Sequence, residues 1–203
     1  MRQHVTRLSQ TCLFHLRRLR SLRRQLGRDV MTRLVSALVL SRLDYCNAVL
    51  TRHPASTLAP LQRVLHAAAR VVMDLRPHDH VSPALQDLHW LPIKQRIEFK
   101  LCLLVHKTLI GHSPVYISDL LTSAADVSRW PTLRTACHGD FSMPRSNWKF
   151  RDRAFCVAAP RAWNRLPPDL RQLHLTQTFR RHLKTFLFPI SYWAPIIRHL
   201  WTM

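Results

Sequence analysis

Glycine and acidic residues are scarce in this chain of 203 residues. Only 3 glycines occur, whereas a glycine-rich phosphate-binding loop needs several, because its turns require positive φ angles and a close approach of the backbone. The 11 acidic residues are Glu98 and ten scattered aspartates, so no motif pairs the carboxylates that hold two metal ions in phosphoryl transfer. The composition therefore argues against both kinds of motif.

Paired cysteines and long apolar runs are also missing. The 5 cysteines are odd in number, and no two of them have C-x-x-C spacing, which favours reduced thiols over a disulfide framework. The longest apolar stretches, such as residues 101–105, are far shorter than the roughly 18 to 20 residues of a membrane span. We therefore expect no membrane partner and a nuclear or cytoplasmic location.

Positive charge is abundant instead. The chain has 31 Lys and Arg residues and a formal net charge of +20, and a surface of this kind attracts polyanions. Basic and acidic residues number 11 and 2 in residues 1–60, 7 and 5 in 61–125, and 13 and 4 in 126–203. Because 47% of the residues are hydrophobic, the basic ends belong to a folded chain. RNA or DNA is the expected partner, with no small-molecule substrate and no cofactor.

Apolar residues recur at steps of three and four over most of the chain, which predicts a mainly α fold. The first stripe covers residues 6–26, with arginines on the opposite face and Gly27 as the stop. Asp29 is predicted to cap a second helix. Further helices are expected at residues 58–75, 82–88, 93–109, 113–121, 157–166 and 176–186. Residues 122–150 have no sustained period, so we expect a loop there and a short hairpin at 141–150.

The arginine cluster RRLRSLRR at residues 17–24 is the sharpest local indication of an anionic partner. Arginine binds phosphate through two parallel hydrogen bonds, and the resulting affinity is independent of base sequence and falls with salt. A solvated helix face or a nuclear import signal has the same pattern. The acid-free residues 1–28 also resemble a mitochondrial transit peptide. The net charge of the whole chain favours phosphate contact.

Histidine, cysteine and tryptophan offer weaker candidates. His78 with His80, or Cys102 with His106, would give only two zinc ligands each, and no spacing completes a set of four. Nothing orders the pair at residues 137–138 for nucleophilic catalysis. Four tryptophans in basic surroundings are candidates for stacking on bases, but two of them are predicted to be core anchors instead. The two predicted core residues are Trp90 and Trp163. For Trp130 and Trp148, both a core role and a base-stacking role stay open.

Several strings together resemble one protein family. They are SRLDYCN at residues 41–47, LQRVLHAAAR at 61–70, LHWLPIKQRIEFK at 88–100, the segment 114–121, DRAFCVAAPRAWNRLP at 152–167 and HLKTFLF at 182–188. In this order they are similar to the region downstream of the polymerase palm in reverse transcriptases of non-LTR retrotransposons, the Jockey-like and chicken-repeat-like LINE elements. The resemblance covers residues 4–188.

The resemblance implies a thumb-like helical bundle that contacts template RNA and primer or target DNA. The corresponding divisions are residues 1–121 for the bundle, 122–150 for a loop-rich linker or hairpin, 151–188 for a smaller helical C-terminal segment, and 189–203 for an unmatched tail. The family's catalytic motif, an aromatic residue followed by x-Asp-Asp, lies upstream of the matched region. The resemblance therefore implies no enzyme activity, and it makes the missing palm the original intramolecular partner.

These observations predict a truncated reverse-transcriptase remnant that binds the phosphate backbone of RNA or DNA without sequence specificity. No catalytic residue and no metal site are expected. The predicted phosphate contacts are Arg17, Arg18, Arg20, Arg23, Arg24, Lys94, Arg96 and Lys100. Two alternatives stay open: a decayed element product with no selected function, and a basic mitochondrial protein with an N-terminal presequence.

Overall fold

The computed structural model describes residues 1–124, 139–144 and 151–192. In these ranges helices dominate, and the one extended pairing is an isolated antiparallel bridge between Ser123 and Phe141. The mainly α prediction is confirmed. The α-helices are α1 (Arg2–Leu22), α2 (Arg28–Val35), α3 (Ser41–Asp44), α4 (Ala55–Met73), α5 (Ser82–Asp87), α6 (Ile93–Leu109), α7 (Val115–Ser118), α8 (Phe155–Trp163), α9 (Pro168–Arg171) and α10 (Thr176–Tyr192).

The described helices belong to two compact units. The first consists of residues 1–47, 53–96 and the described residues from Phe188 onward. The second consists of residues 48–52 and the described part of 97–187. The division that the sequence predicts at residue 121 falls within the second unit.

The first unit is organised around the packing of α1 on α4. Apolar side chains at steps of three and four give each helix one buried stripe, and the two stripes bury each other's apolar surface. Val5, Cys12, Leu16 and Leu19 form the buried apolar stripe of α1, and Leu61, Val64, Leu65, Ala68 and Val72 form the core of the α4 stripe.

The connection between α1 and α2 differs from the prediction. Helix α1 ends at Leu22, and Gly27 precedes α2 as its extended N-cap, with φ −65° and ψ 162°. No side chain caps α2, so the predicted cap at Asp29 is wrong. The physical reason is tertiary, because the side chain of Arg23 bonds to carbonyls of α4 and holds the turn that follows α1.

Polar contacts join α3, α4 and the first turn of α6, residues 93–96, within the first unit. The guanidinium of Arg96 binds the Asp44 carboxylate through two hydrogen bonds, of 2.8 Å from Nε and 2.6 Å from Nη2. The backbone N–H of Ile93 donates to Gln62 Oε1 at 3.0 Å, which satisfies one of the free N–H groups in the first turn of α6. Arg96 is one of the predicted phosphate contacts, a role that needs an exposed guanidinium, but its side chain is only 14% exposed because it is bound to Asp44.

The second unit has an aromatic core. Trp163 is fully buried and donates through Nε1 to the Gly139 carbonyl at 3.1 Å. His106 stacks on Phe179 with 4.1 Å between the ring centroids. The prediction that Trp90 and Trp163 are core residues is confirmed, since they are 7% and 0% exposed in their respective units.

A short extended segment is attached to α8 and α9 in the second unit. The Asn164 side chain accepts from the Phe141 N–H at 3.0 Å and donates to the Phe141 carbonyl at 2.9 Å, as a neighbouring strand would. Arg171 forms an ion pair with Asp140. The predicted hairpin at 141–150 lies partly outside the described residues. Trp130, Trp148, the pair at 137–138 and most of the tail 189–203 also lie outside them.

The helix predicted after Pro92 agrees with the structure in its bounds and differs from it at one residue. This helix, α6, has the predicted bounds, residues 93–109, and Gly111 follows it with φ +71°. The apolar spacing of the sequence predicts that Leu109 faces inward with Ile93 and Leu101, but Leu109 is 53% exposed. It lies at the end of α6, beyond Val105 and His106, the last fully buried residues of that helix.

The second unit should lose stability in acid because of His106. Burial lowers the pKa of His106, although its hydrogen bond to the Leu173 carbonyl opposes the shift. The unfolded chain, whose histidine pKa is about 6.5, therefore takes up a proton that the folded unit resists. This contribution is fully present above that pH and is lost as the pH falls, by at most about 1.4 kcal/mol per pH unit.

Thermal unfolding followed by tryptophan fluorescence at several pH values measures this effect. We expect the melting temperature to fall between about pH 7 and pH 5, and to fall less steeply in His106→Gln, whose amide still donates to the Leu173 carbonyl. Equal pH slopes for the two proteins would contradict the assignment.

Candidate nucleic-acid interface

The predicted arginine cluster forms an exposed face at the C-terminal end of α1 and in the turn that follows. Four arginines lie there, and their side chains make no hydrogen bond or ion pair with any residue that the structure describes. Because the buried stripe of α1 packs on α4, these side chains are held at the surface of a fixed helix. We call this set the α1 face: Arg17, Arg18, Arg20 and Arg24.

Arg23 lies in the middle of the cluster but has a different role. Its Nε donates to the Val71 carbonyl at 3.1 Å, Nη2 to the Val72 carbonyl at 3.2 Å and Nη1 to the Leu26 carbonyl at 3.3 Å. The last carbonyls of a helix have no partner within the helix and carry its partial negative charge, so a guanidinium there is favourable. Arg23 therefore joins the end of α1 to the end of α4.

An exposed aromatic ring lies beside the α1 face. Phe14 is 54% exposed, and the Arg18 guanidinium lies 5.7 Å from its ring centroid. This geometry is a cation–π contact, and an exposed aromatic ring next to arginine is a surface on which a nucleobase stacks. Sequence reasoning considered only tryptophans for stacking and missed Phe14. The i, i+4 spacing of Phe14 and Arg18 on the polar side of the stripe was the available signal.

A cleft of about 290 Å³ lies between α1 and α4. Its floor is apolar, and its rim carries several arginines and the exposed Asp74. We call it the α1–α4 cleft. The arginines that line it are Arg17, Arg20, Arg23 and Arg70, and the apolar lining comprises Leu13, Leu16, Ala67, Val71, Leu75 and Pro77.

Arg70 is a cleft residue that the sequence did not single out. Its Nη2 donates to the Asp79 carbonyl at 3.4 Å, and its Nε is buried with no hydrogen-bond partner in the described part of the chain. A buried N–H without an acceptor costs stability, which a ligand acceptor in the cleft would recover. The signal in the sequence was weak, because Arg70 is one charge at the end of a largely apolar α4 stripe.

The basic residues of α6 are placed differently. Lys94 is exposed, Lys100 is half-buried, and Arg96 has its guanidinium bound to Asp44. The structure therefore brings four of the predicted arginines together on the α1 face and ties Arg23 and Arg96 into the fold.

Three of the strings that carry the family resemblance contact one another. Asp44 and Asn47, from the first string, bond to the side chain and the carbonyl of Arg96 in the third, the second of these at 3.5 Å. Gln62, from the second string, accepts from Ile93 in the third. These polar residues are accounted for by the packing of the first unit, without a ligand.

Neither a metal cluster nor a membrane span occurs among the described residues. No group of three or more His, Cys, Asp or Glu side chains converges there, and no described helix is both long and apolar enough to cross a bilayer. His78 and His80 are exposed, while Cys102 and His106 are buried. Burial, mainly, raises the pKa of the Cys102 thiol, so this side chain is a poor nucleophile.

Replacing single arginines should separate the two roles within the cluster. Arg23→Gln removes charge-assisted bonds to carbonyls of α4, so we expect it to lower the free energy of unfolding by about 1–3 kcal/mol. Arg20→Gln, at an exposed position three residues away, should change it by less than about 0.5 kcal/mol. Urea denaturation followed by circular dichroism measures both, and equal stability of the two variants would contradict the role of Arg23.

Comparison with known proteins assigns neither a family nor a function to this chain. The resemblance to reverse transcriptases of non-LTR retrotransposons rests on the sequence strings, and the interface rests on the placement of its arginines. No protein-family model, curated protein or solved structure matches the chain.

Proposed function

We propose that this chain is a non-catalytic, reverse-transcriptase-like module that binds RNA or DNA through the phosphate backbone. The observation that carries the proposal is the α1 face, where four arginines lie on one surface without an acidic partner among the described residues. The sequence strings similar to non-LTR reverse transcriptases support the same class of partner.

The electrostatics of the α1 face suit a phosphate chain. Residues three or four apart on a helix lie about 5–6 Å apart at Cβ, so Arg17 and Arg20 are neighbours on α1, and Arg24 follows them in the turn after the helix. Each guanidinium binds a phosphate through two parallel hydrogen bonds. Phosphate contacts do not read base sequence, so we expect binding with little sequence preference.

The use of the carboxylates supports a binding role rather than catalysis. Four of the described acidic residues form ion pairs with arginines of the fold, and these pairs are separate from one another. They are Asp44 with Arg96, Asp140 with Arg171, Asp152 with Arg52, and Glu98 with Arg165. Carboxylates neutralised in this way do not form the converging set that phosphoryl transfer with metal ions requires.

The salt dependence of binding tests the proposal. Each phosphate contact adds about 0.7 to the slope of log affinity against log salt for a single strand. We expect the triple variant R17Q/R20Q/R24Q to reduce that slope by about 2. Fluorescence anisotropy with a labelled oligouridylate, titrated at several salt concentrations, gives the slope directly.

A matched triple variant controls for loss of net charge alone. R151Q/R180Q/R181Q removes three exposed arginines outside the α1 face, and it should leave the slope within about half a unit of the wild-type value. An equal loss in both triple variants would show that the charge acts without a defined surface. Absence of a salt slope in the wild-type protein would sink the proposal.

A further inference from the structure

We infer that the α1–α4 cleft binds one unpaired nucleotide, with the base on the apolar floor and the phosphate on the arginines of the rim. The protein would therefore prefer single-stranded to duplex nucleic acid. This inference rests on the proposed function and adds to it the class of nucleic acid.

The floor of the cleft has the chemistry of a base-binding site. It is built from Leu13 and Leu16 of α1, from Ala67 and Val71 of α4, and from Leu75. Its volume of about 290 Å³ is close to the lower limit of small-molecule sites, about 300 Å³. A nucleobase has flat apolar faces and polar edges, so its faces suit such a floor while its edges remain near solvent.

The rim supplies the anion contacts. Arg17 and Arg20 have no hydrogen-bond or ion-pair partner among the described residues, and the buried Nε of Arg70 has no acceptor. Arg23 uses three of its five N–H groups on carbonyls, which leaves two and fixes the guanidinium in place. A phosphate group is the ligand that matches several guanidinium groups around an apolar floor.

A nucleotide must leave the base stack to reach this floor. In a duplex each base is stacked on both faces and paired at its edge, so flipping it out costs a few kcal/mol before any contact forms. In a single strand the bases are already accessible. Phe14, exposed beside the α1 face, offers an aromatic ring on which a neighbouring base stacks.

Asp74 is the one acidic residue among those that line the cleft. It ends α4 in the left-handed conformation, with φ 55° and ψ 40°, and asparagine is one of the residues that tolerate this conformation well. Asp74→Asn removes a negative charge from the cleft without changing the backbone requirement. We expect it to tighten the binding of a single strand by about threefold to tenfold, because one repulsive contact with phosphate is removed.

The experiment compares three ligands of equal length by fluorescence anisotropy at fixed salt: a single-stranded oligothymidylate, an abasic strand with the same backbone, and a duplex. We expect the wild-type protein to bind the oligothymidylate at least about tenfold more tightly than the other two, since only it offers accessible bases. Ala67→Met, which fills the floor, should reduce this affinity to the abasic level. Ala59→Met, at an exposed position on the same helix, is the matched control and should leave it unchanged.

The outcomes separate the two proposals. Salt-dependent binding with equal affinity for all three ligands, or tighter binding of the duplex, would overturn the cleft and leave the phosphate-binding function intact. No salt-dependent binding of any ligand would overturn the function as well. If Ala67→Met fails to fold, Asp74→Asn still decides, because weaker or unchanged binding in that variant contradicts an anion site in the cleft.

Discussion

The guanidinium of Arg23, bonded to the Val71 and Val72 carbonyls, is the contact on which the candidate interface depends. It closes the carbonyl end of α4 and fixes the end of α1 against it. Arg20 and Arg17 lie three and six residues earlier on α1, so the same contact sets the position of the cleft rim. Arg23 thus stabilises the fold, and its hydrogen bonds hold Arg17 and Arg20 in position.

The net charge of +20 is divided between two uses. Carboxylates are few, and four of those described are each spent on one arginine of the fold. Two of the unpaired arginines of α1, Arg17 and Arg20, line the cleft, where Asp74 is the one acidic residue of the lining. Scarcity of acid, which in the sequence only argued against metal-dependent catalysis, also explains why the α1 face keeps its charge.

The packing of α1 on α4 argues against the mitochondrial alternative, because cleavage of residues 1–28 as a presequence would expose the apolar stripe of α4.

Periodicity predicted the helices well, since α1, α4 and α6 each have distinct apolar and polar faces. It failed at Gly27 and Asp29, because the end of α1 is set by a contact between residues 48 positions apart. The cleft could not be predicted from the sequence for a similar reason. Its floor and rim come mainly from two helices whose relative placement no local pattern contains. The burial of Trp163, in contrast, was predicted from its size, whereas the exposed Phe14 was not predicted.

Crosslinking tests the central claim most directly, because it reports which residues of the intact chain touch nucleic acid. The full-length protein would be irradiated with RNA containing 4-thiouridine and the modified peptides identified by mass spectrometry. We expect crosslinks in residues 13–24 of α1 and around residues 67–75 at the cleft. Crosslinks confined to residues 151–192, with none on α1 or α4, would contradict the account.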